Sequence, residues 1–366
     1  MDFGLSEEQQ LLEQTLHRFF EEKCPIARVR EHVAGEQKDG DAAALWKELA
    51  SLGVAGILVP EDMGGSGLAL LDAVVAAQSL GWGVAPVPFL GSAVMAPVAF
   101  AEAGTRAQQE RWLPRIAAGE CRMGIAATEL DSRREGAGVS ERDGLLRGKA
   151  LMVIDAVDAD YFLVPVAEEP MRLAIVSAEA ECLTLRSLTT IDRTRGFGEL
   201  VFEGVRAEDW IGEAGGADTA IRRMLDAGRV ALAADALGAC DRALDMAVSY
   251  SKQRVQFERV IGSFQAVKHM CAEMVAELEP ARSLLWYAAH AFDAIPEEAS
   301  LMAAHAKAHL SEIGTFIVRT ATEVHGGIGF TDEHNLHLWF KRVGVDRQIL
   351  GTPDALRQQA AQQQGW

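Results

Sequence analysis

The sequence predicts an α+β protein in which a β region lies between two helical regions. Apolar residues recur at helical spacing over the first third of the chain, and long alanine-rich helical patterns occupy the last third. Between them, short apolar runs are separated by Gly, Asp, Glu and Pro, a pattern typical of β structure. We therefore divide the 366 residues into a helical domain at 1–120, a β domain at 121–213 and a helical domain at 214–366.

The first region is expected to be entirely helical. Ser6 and Gln9 form a capping-box signature, and the apolar residues that follow predict an amphipathic first helix. Residues 60–67, PEDMGGSG, are too rich in glycine for regular structure and predict a turn. Further helices are expected over residues 42–52, 68–80, 89–103 and 107–118.

The middle region is expected to form a small antiparallel sandwich or barrel. Its apolar runs predict strands over residues 123–127, 161–167, 172–177 and 199–202.

The last region predicts three long helices and a short one. Pro280 is a candidate kink in the second long helix, and Thr352 with Pro353 predicts the N-cap of the short helix. The predicted ranges are 221–248, 267–293, 296–323 and a start near 353.

Composition excludes several classes of protein. A net charge of -18 argues against nucleic-acid binding, which depends on neutralising phosphates with Lys and Arg. Five scattered cysteines without a C-x-x-C motif predict neither disulfides nor a zinc site and favour a reducing cytoplasm. The acidic N-terminus is not typical of a signal peptide. Residues 73–101 lack charge, but glycines and prolines divide them into pieces too short to span a membrane, so buried helices are expected.

The most informative stretch is YSKQRVQFERVIGSFQ, residues 250–265. It combines guanidinium groups with an aromatic side chain and a turn glycine, Gly262. Arg254 carries a permanent planar charge that suits a pyrophosphate. The alternative is the basic end of an amphipathic helix with no ligand.

This stretch resembles the signature Y-x-x-x-R-x-Q-F-x-x-x-I-x-x-F-Q of acyl-CoA dehydrogenases, flavoproteins that desaturate acyl thioesters between Cα and Cβ. Glu258 stands where that family usually has Gly. The resemblance extends over nearly the whole chain and implies the family fold: an N-terminal helical domain, a β domain and a C-terminal four-helix bundle. It also implies contacts to the FAD of a neighbouring subunit by Arg254, Gln256, Phe257 and Gln265.

A second motif, EVHGGIGF at residues 323–330, resembles the family string Q-x-x-G-G-x-G-[FY]. The resemblance implies that Glu323, Gly326 and Gly327 contact the cofactor, because glycines let a backbone approach a ligand without a Cβ. Glu323 replaces a neutral Gln and would repel a phosphate. The alternative is a helix C-cap without a ligand.

The β domain departs more from the family. Thr128 matches the Thr that bonds the flavin ring, but residues 130–134 do not match the rest of that motif. Residues 148–155 lie where the family has G-x-K-x-[WF]-I-T-N, which puts Met152 in place of the aromatic residue and Ile154 in place of the Thr. Each lost hydrogen bond costs about 0.5–1.5 kcal/mol, so only several losses together would abolish a flavin site.

The family's catalytic base is absent from both of its usual positions. The resemblance implies a Glu in an E-G-T string or a Glu before an Arg, and these fall on Leu350 and Gly228. Thr352, the last residue of the first string, is carried over as a cofactor contact. Asp346, one helical turn before Leu350, is the remaining candidate base, whereas Asp226 points elsewhere. Both carboxylates are expected on the solvated surface.

The resemblance therefore leaves three functions open. The first is an FAD-dependent acyl-CoA dehydrogenase with a displaced base. The second is a non-catalytic subunit of a heterotetramer, as in steroid side-chain degradation, which completes a partner's FAD site. The third is a scaffold without a redox role. The resemblance implies an acyl-CoA substrate, a homotetramer or heterotetramer, and an electron-transfer flavoprotein as acceptor. His305 and His309 lack the Glu of a zinc protease, so no metal is predicted.

Overall fold

The computed structural model describes residues 4–36, 40–130, 135–166, 171–212 and 216–366, with the backbone alone at Glu129. Four of the five β-domain positions predicted to depart from the family motif, 131–134, lie outside the described residues.

The N-terminal region is helical, as predicted. Its first helix begins at the expected capping box, in which the Gln9 amide donates to Ser6 Oγ at 3.2 Å. Residues 26–34 form a helix that the sequence pattern did not predict, and Leu90–Met95 is π-helical rather than α-helical. The helices are α1 Glu7–Lys23, α2 Ile26–Ala34, α3 Asp41–Ser51, α4 Leu70–Gly83, α5 Ala96–Ala103 and α6 Arg106–Ala117.

The middle region contains two four-stranded sheets, which enclose an apolar core of their own. The strands are β1 Met123–Ile125, β2 Gly138–Arg142, β3 Leu145–Val153, β4 Tyr161–Val166, β5 Arg172–Ser177, β6 Leu183–Leu188, β7 Phe197–Val205 and β8 Asp209–Ile211. One sheet has the order β1-β4-β5-β8 and the other β2-β3-β7-β6. The expectation of purely antiparallel pairing is wrong at one place, because β1 and β4 run parallel.

The last region forms a helical bundle. Its elements are α7 Ala217–Gln253, the short strands β9 Val255–Gln256 and β10 Arg259–Val260, α8 Gln265–Ala294, α9 Pro296–His325, α10 Leu336–Asp346 and α11 Pro353–Gln363. Helix α8 continues through Pro280, and Thr352 caps α11 as predicted. None of the helices in the described part of the chain is long and apolar enough to cross a membrane.

Helices α4 and α7 pack so closely that only glycine fits at their contact. A Cβ on Gly81 would lie 1.9 Å from the Asp235 carbonyl oxygen, and a Cβ on Gly238 would lie 1.8 Å from the Gln78 carbonyl oxygen. The N-terminal helices and the bundle consequently share one continuous apolar core, whereas most of the β domain packs around a second.

Buried ion pairs join the β domain to the bundle. Arg342 of α10 binds Asp235 of α7 through two hydrogen bonds of 2.8 Å. Arg195, in the connection between β6 and β7, lies 2.9 Å from Asp346 of α10 and 3.2 Å from Asp235. Arg342 also donates to Thr194 Oγ1 at 2.8 Å. All of these side chains are buried. The cluster therefore fixes the β6–β7 connection against two helices.

We expect Arg342→Met to lower the free energy of unfolding by about 3–5 kcal/mol, because it leaves the Asp235 carboxylate buried without a bidentate partner. The control is Arg186→Met, which removes the exposed pair with Glu199 and should cost less than about 1 kcal/mol. Denaturant unfolding followed by circular dichroism measures both. Equal losses for the two variants would contradict a structural role for the buried cluster.

Candidate functional site

The first motif forms a short hairpin at the end of α7. Strands β9 and β10 pair, and the Ile261 amide donates to the Arg254 carbonyl at 2.8 Å to close the hairpin. Phe257 and Glu258 occupy the turn with φ of 50° and 63°. Two-residue turns of this kind favour Asn-Gly or Gly-Gly. The left-handed conformation costs other L-residues about 1–2 kcal/mol each, so this turn is strained.

The hairpin presents the predicted cofactor residues to solvent. Arg254, Gln256 and Gln265 are exposed, and the Phe257 side chain is 86% exposed. The amide nitrogen of Gln265 contacts a ring nitrogen of His269 at 2.9 Å. An exposed arginine, amide and aromatic ring on one hairpin form a surface that is suited to a second molecule.

The second motif follows α9 as a 3-10 turn, Gly326–Phe330. Gly326 has a φ of 65°, and a Cβ on either Gly326 or Gly327 would meet no atom within 4 Å. The backbone here is therefore open to a ligand. Glu323 is exposed on the last turn of α9.

Ring stacking holds the two motifs together. The Tyr250 ring at the end of α7 stacks on His325 at 4.6 Å between centroids, and His334 lies 4.5 Å from His325. His325 Nδ1 is 2.7 Å from the Ala321 carbonyl. Burial lowers the pKa of His325, which favours the neutral ring. The hairpin and the glycine turn thus extend from the same small cluster of rings.

On the β domain, Thr128 binds its own sheet. Its hydroxyl donates to the Leu151 carbonyl at 2.7 Å, which places Thr128 beside Met152. The predicted contact of Thr128 with the flavin ring stays a prediction. Met152 itself has a φ of 49°, and Ile154 is fully buried. The side chains in place of the family's aromatic residue and Thr are therefore both apolar.

The two positions that would hold the base lie in contact with each other. A Cβ on Gly228 would lie 2.7 Å from Leu350 Cδ1 and 2.9 Å from Met95 Sδ. Leu350 is buried, and its carbonyl accepts a hydrogen bond of 3.1 Å from Arg229 Nε. Asp226 in turn pairs with Arg229 at 2.9 Å. An apolar contact therefore occupies the two positions that the resemblance assigns to the base.

The expectation that Asp346 and Asp226 are solvated is wrong, because each is only 1% exposed. Asp346 binds Arg195, and burial raises the pKa of Asp346 well above its usual value. Burial also raises the pKa of Asp226, against the lowering effect of Arg229. The sequence pattern missed this because the arginine that binds Asp346 is 151 residues away in the chain. Asp346 is held in a structural ion pair, which weighs against its use as a base.

Thr352 accepts a hydrogen bond of 3.4 Å from the Ala355 amide as the N-cap of α11. The side chain is half-buried and serves the helix. The structure therefore assigns it a capping role, and a cofactor contact stays a prediction.

Asp155 is a buried carboxylate that the sequence pattern did not single out. Its Oδ2 accepts a hydrogen bond of 2.7 Å from the Gly91 amide in the π-helical turn. Burial raises the pKa of Asp155 to about 6, against the lowering effects of this hydrogen bond and of Arg195. The sequence could have indicated this residue, because Asp155 stands where the family string G-x-K-x-[WF]-I-T-N ends in Asn. Asp155 thus ties the end of β3 to the segment that carries Met95.

Comparison with known proteins places this site in a family. Residues 6–120 match the acyl-CoA dehydrogenase N-terminal domain and residues 214–365 the acyl-CoA dehydrogenase C-terminal domain. The chain is 32% identical over 95% of its length to acyl-CoA dehydrogenase IpdE2 of Mycobacterium tuberculosis, covering 94% of that protein. The chain therefore belongs to the acyl-CoA dehydrogenase family, which confirms the resemblance.

Solved structures agree with this assignment. A variant of the Tcur3481-Tcur3483 steroid ACAD is 30% identical, with a TM-score of 0.87 and 98% of each chain covered. The ChsE4-ChsE5 complex from Mycobacterium tuberculosis is 25% identical, with a TM-score of 0.88 and coverage of 100% of this chain and 99% of that one. The predicted fold class is confirmed.

We expect Asp155→Asn to stabilise the protein by about 3 kcal/mol at pH 8. The folded-state pKa of about 6 lies above the unfolded value. The contribution of the wild-type Asp155 carboxyl to the free energy of unfolding is therefore complete only below about pH 4. That contribution is lost as the pH rises through 6. Asn keeps an acceptor for the Gly91 amide without a charge, so its advantage should fall below about 1 kcal/mol at pH 4.

Asp143→Asn is the matched control, since Asp143 also has a left-handed backbone but is exposed. It should change the free energy of unfolding little at either pH. A pH-independent effect of Asp155→Asn would contradict the buried charge as its cause.

Proposed function

We propose that this chain is a subunit of a heteromeric FAD-dependent acyl-CoA dehydrogenase, in which it completes a partner's FAD site and supplies no catalytic base. The observation that carries the proposal is the contact between Gly228 and Leu350, which fills the family's base positions with apolar atoms. Removal of the α-proton requires a positioned base, which contributes about 10²–10⁴-fold in rate. Asp226 and Asp346 are paired with arginines and buried.

The exposed face at the end of α7 fits a dinucleotide. The Arg254 guanidinium suits a pyrophosphate, and the open backbone at Gly326 and Gly327 allows close approach of a ligand. The Tyr250–His325 stack would keep these groups at a fixed separation. When bound, FAD supplies the hydride-accepting chemistry of this family. The residues of this chain would bind and orient the dinucleotide.

The partner is proposed to be a different acyl-CoA dehydrogenase subunit. This chain has Met152 and Ile154 where the family holds the flavin ring, so we assign the ring site and the base to the partner. The ChsE4-ChsE5 and Tcur3481-Tcur3483 structures, each named for a pair of proteins, support a heteromer. The description of the latter as a steroid ACAD supports a steroid-derived acyl-CoA as substrate. We place the protein in the cytoplasm, with an electron-transfer flavoprotein as acceptor.

A second candidate is an autonomous homotetrameric dehydrogenase with a displaced base. Thr128 favours this candidate. It matches the family's Thr that bonds the flavin ring, and its hydroxyl donates to a carbonyl of β3.

The visible spectrum of the purified protein separates the two candidates. The proposal expects a colourless chain when it is expressed alone, and a yellow complex when it is co-expressed with a second acyl-CoA dehydrogenase subunit encoded beside it. Autonomous activity instead expects a yellow protein that turns over an acyl-CoA with an artificial acceptor. If this chain forms no complex with the second subunit, the proposal of a heteromer is wrong.

In that complex, Arg254→Met should weaken FAD binding by about 10–100-fold, because a charge-assisted hydrogen bond contributes about 1.5–3 kcal/mol. Titration of the deflavinated complex with FAD, followed by flavin fluorescence, gives the affinity. Arg18→Met on the exposed face of α1 is the control and should leave the affinity unchanged. Unchanged affinity in the Arg254 variant would remove this residue from the FAD site.

Glu323→Gln should strengthen FAD binding about threefold at 0.1 M salt, since it removes an exposed anion next to the phosphate-binding face. Because salt screens exposed charges, the gain should shrink at 0.5 M salt. Weaker binding by the variant would instead indicate that the carboxylate accepts a hydrogen bond from the cofactor.

A further inference from the structure

The turn of the hairpin carries a carboxylate at a strained position. Phe257 and Glu258 both have left-handed backbones, whereas glycine would adopt the Glu258 conformation without strain. Backbone strain of this kind persists mainly at sites that are used for binding or switching. The Glu258 side chain therefore needs an explanation that local folding does not provide.

Nothing within the described part of the chain uses the Glu258 carboxylate. Among the described residues, no hydrogen bond or ion pair engages this carboxylate. The guanidinium of the neighbouring Arg259 stacks on an aromatic ring instead. The Arg259 guanidinium lies 3.9 Å above the Phe264 ring, and the Phe257 ring meets the same ring edge-on at 6.1 Å. These contacts shape the hairpin and leave the carboxylate without a partner among the described residues.

The carboxylate lies on a hairpin that exposes large apolar side chains together with the basic residues Arg254 and Arg259. Its neighbours Phe257, Val255 and Val260 are all exposed large apolar side chains. The glycine turn, connected to the hairpin through the Tyr250–His325 stack, adds Phe330, which is 76% exposed. A second protein that covers this surface would remove water from Glu258. A buried carboxylate without a counter-charge is strongly unfavourable. Because Arg259 stacks on Phe264 and Arg254 is assigned to the dinucleotide, a cation on the covering protein would stabilise the complex.

We propose that Glu258 selects the partner subunit by pairing with a lysine or arginine on a different acyl-CoA dehydrogenase chain. The inference rests on the proposed function and goes beyond it, since it names the residue that decides which chain is accepted. A partner without a cation at this place is rejected, because its docking would bury an unpaired charge. A second copy of this chain is the less favoured occupant, since each copy carries a net charge of -18 and like charges repel.

The test uses the full-length chain and the adjacent acyl-CoA dehydrogenase subunit, each purified separately and then mixed. Glu258→Lys reverses the charge, and Glu258→Gly removes both the charge and the strain. Glu179→Lys reverses an exposed charge in the turn between β5 and β6 and is the matched control. Association is measured by isothermal titration calorimetry at 0.1 and 0.5 M salt. Melting temperature and sedimentation of each chain alone give independent readouts.

We expect Glu258→Lys to weaken association at least tenfold at 0.1 M salt, with a smaller effect at 0.5 M. Glu258→Gly should weaken association severalfold while it raises the melting temperature of the isolated chain by about 1–3 °C. The control should change affinity less than twofold.

Two results would overturn the inference. One is a complex that forms equally well with Glu258→Lys, which leaves the proposed function intact because the complex still exists. The other is self-association of this chain alone that Glu258→Lys abolishes, because the cation would then belong to a second copy. If the wild-type chain forms no complex with the adjacent subunit, the proposed function itself fails, and the variants are not needed to decide it.

Discussion

The buried ion pairs between the β domain and the bundle are the constraint on which the rest of the structure depends. Two guanidinium groups, Arg195 and Arg342, neutralise Asp235 and Asp346 in an interior where neither sign would be stable alone. Arg342 and Arg195 lower the pKa of Asp235 against the effect of burial, whereas burial raises the pKa of Asp346. Because these charges come from the β6–β7 connection, α7 and α10, the domains are held in one relative position.

That arrangement also determines what the site can do. Helix α7 carries Gly228, and α10 leads directly to Leu350, so fixing the two helices brings these residues into contact. Asp226 and Asp346, the two carboxylates considered as bases, are engaged by Arg229 and Arg195 and hold the scaffold together. The same helix α7 ends in the exposed hairpin with Arg254. Helix α7 therefore connects Gly228, a predicted base position without a carboxylate, to the exposed hairpin that we propose contacts a partner's cofactor.

The sequence predicted the order of the regions, the long helices and the identity of the family, because periodic apolar residues, caps and glycine strings act locally. It did not predict β2, β3, β6 or β8. The residues of β2 and β6 are largely exposed and lack an apolar run. It also missed the π-helical turn, which depends on tertiary contacts with Asp155 and Met123. Asp346 shows that a local sequence pattern cannot predict a contact between distant parts of the chain. Its spacing from Leu350 was visible in the sequence, but its burial depends on an arginine from another domain. The left-handed turn at Glu258 could be suspected from the missing glycine, and its unpaired carboxylate required coordinates.

The most direct test of the central claim is α-proton exchange in D₂O, followed by mass spectrometry of a straight-chain and a steroid-derived acyl-CoA. The complex is assembled with a partner whose own base has been removed, so that only this chain could abstract the proton. The account predicts no deuterium uptake above the rate without protein, and uptake when Leu350→Glu restores a carboxylate at the family position. Uptake by the complex with wild-type Leu350, at a rate that falls when Asp346 is replaced by Asn, would contradict the claim that this chain supplies no base.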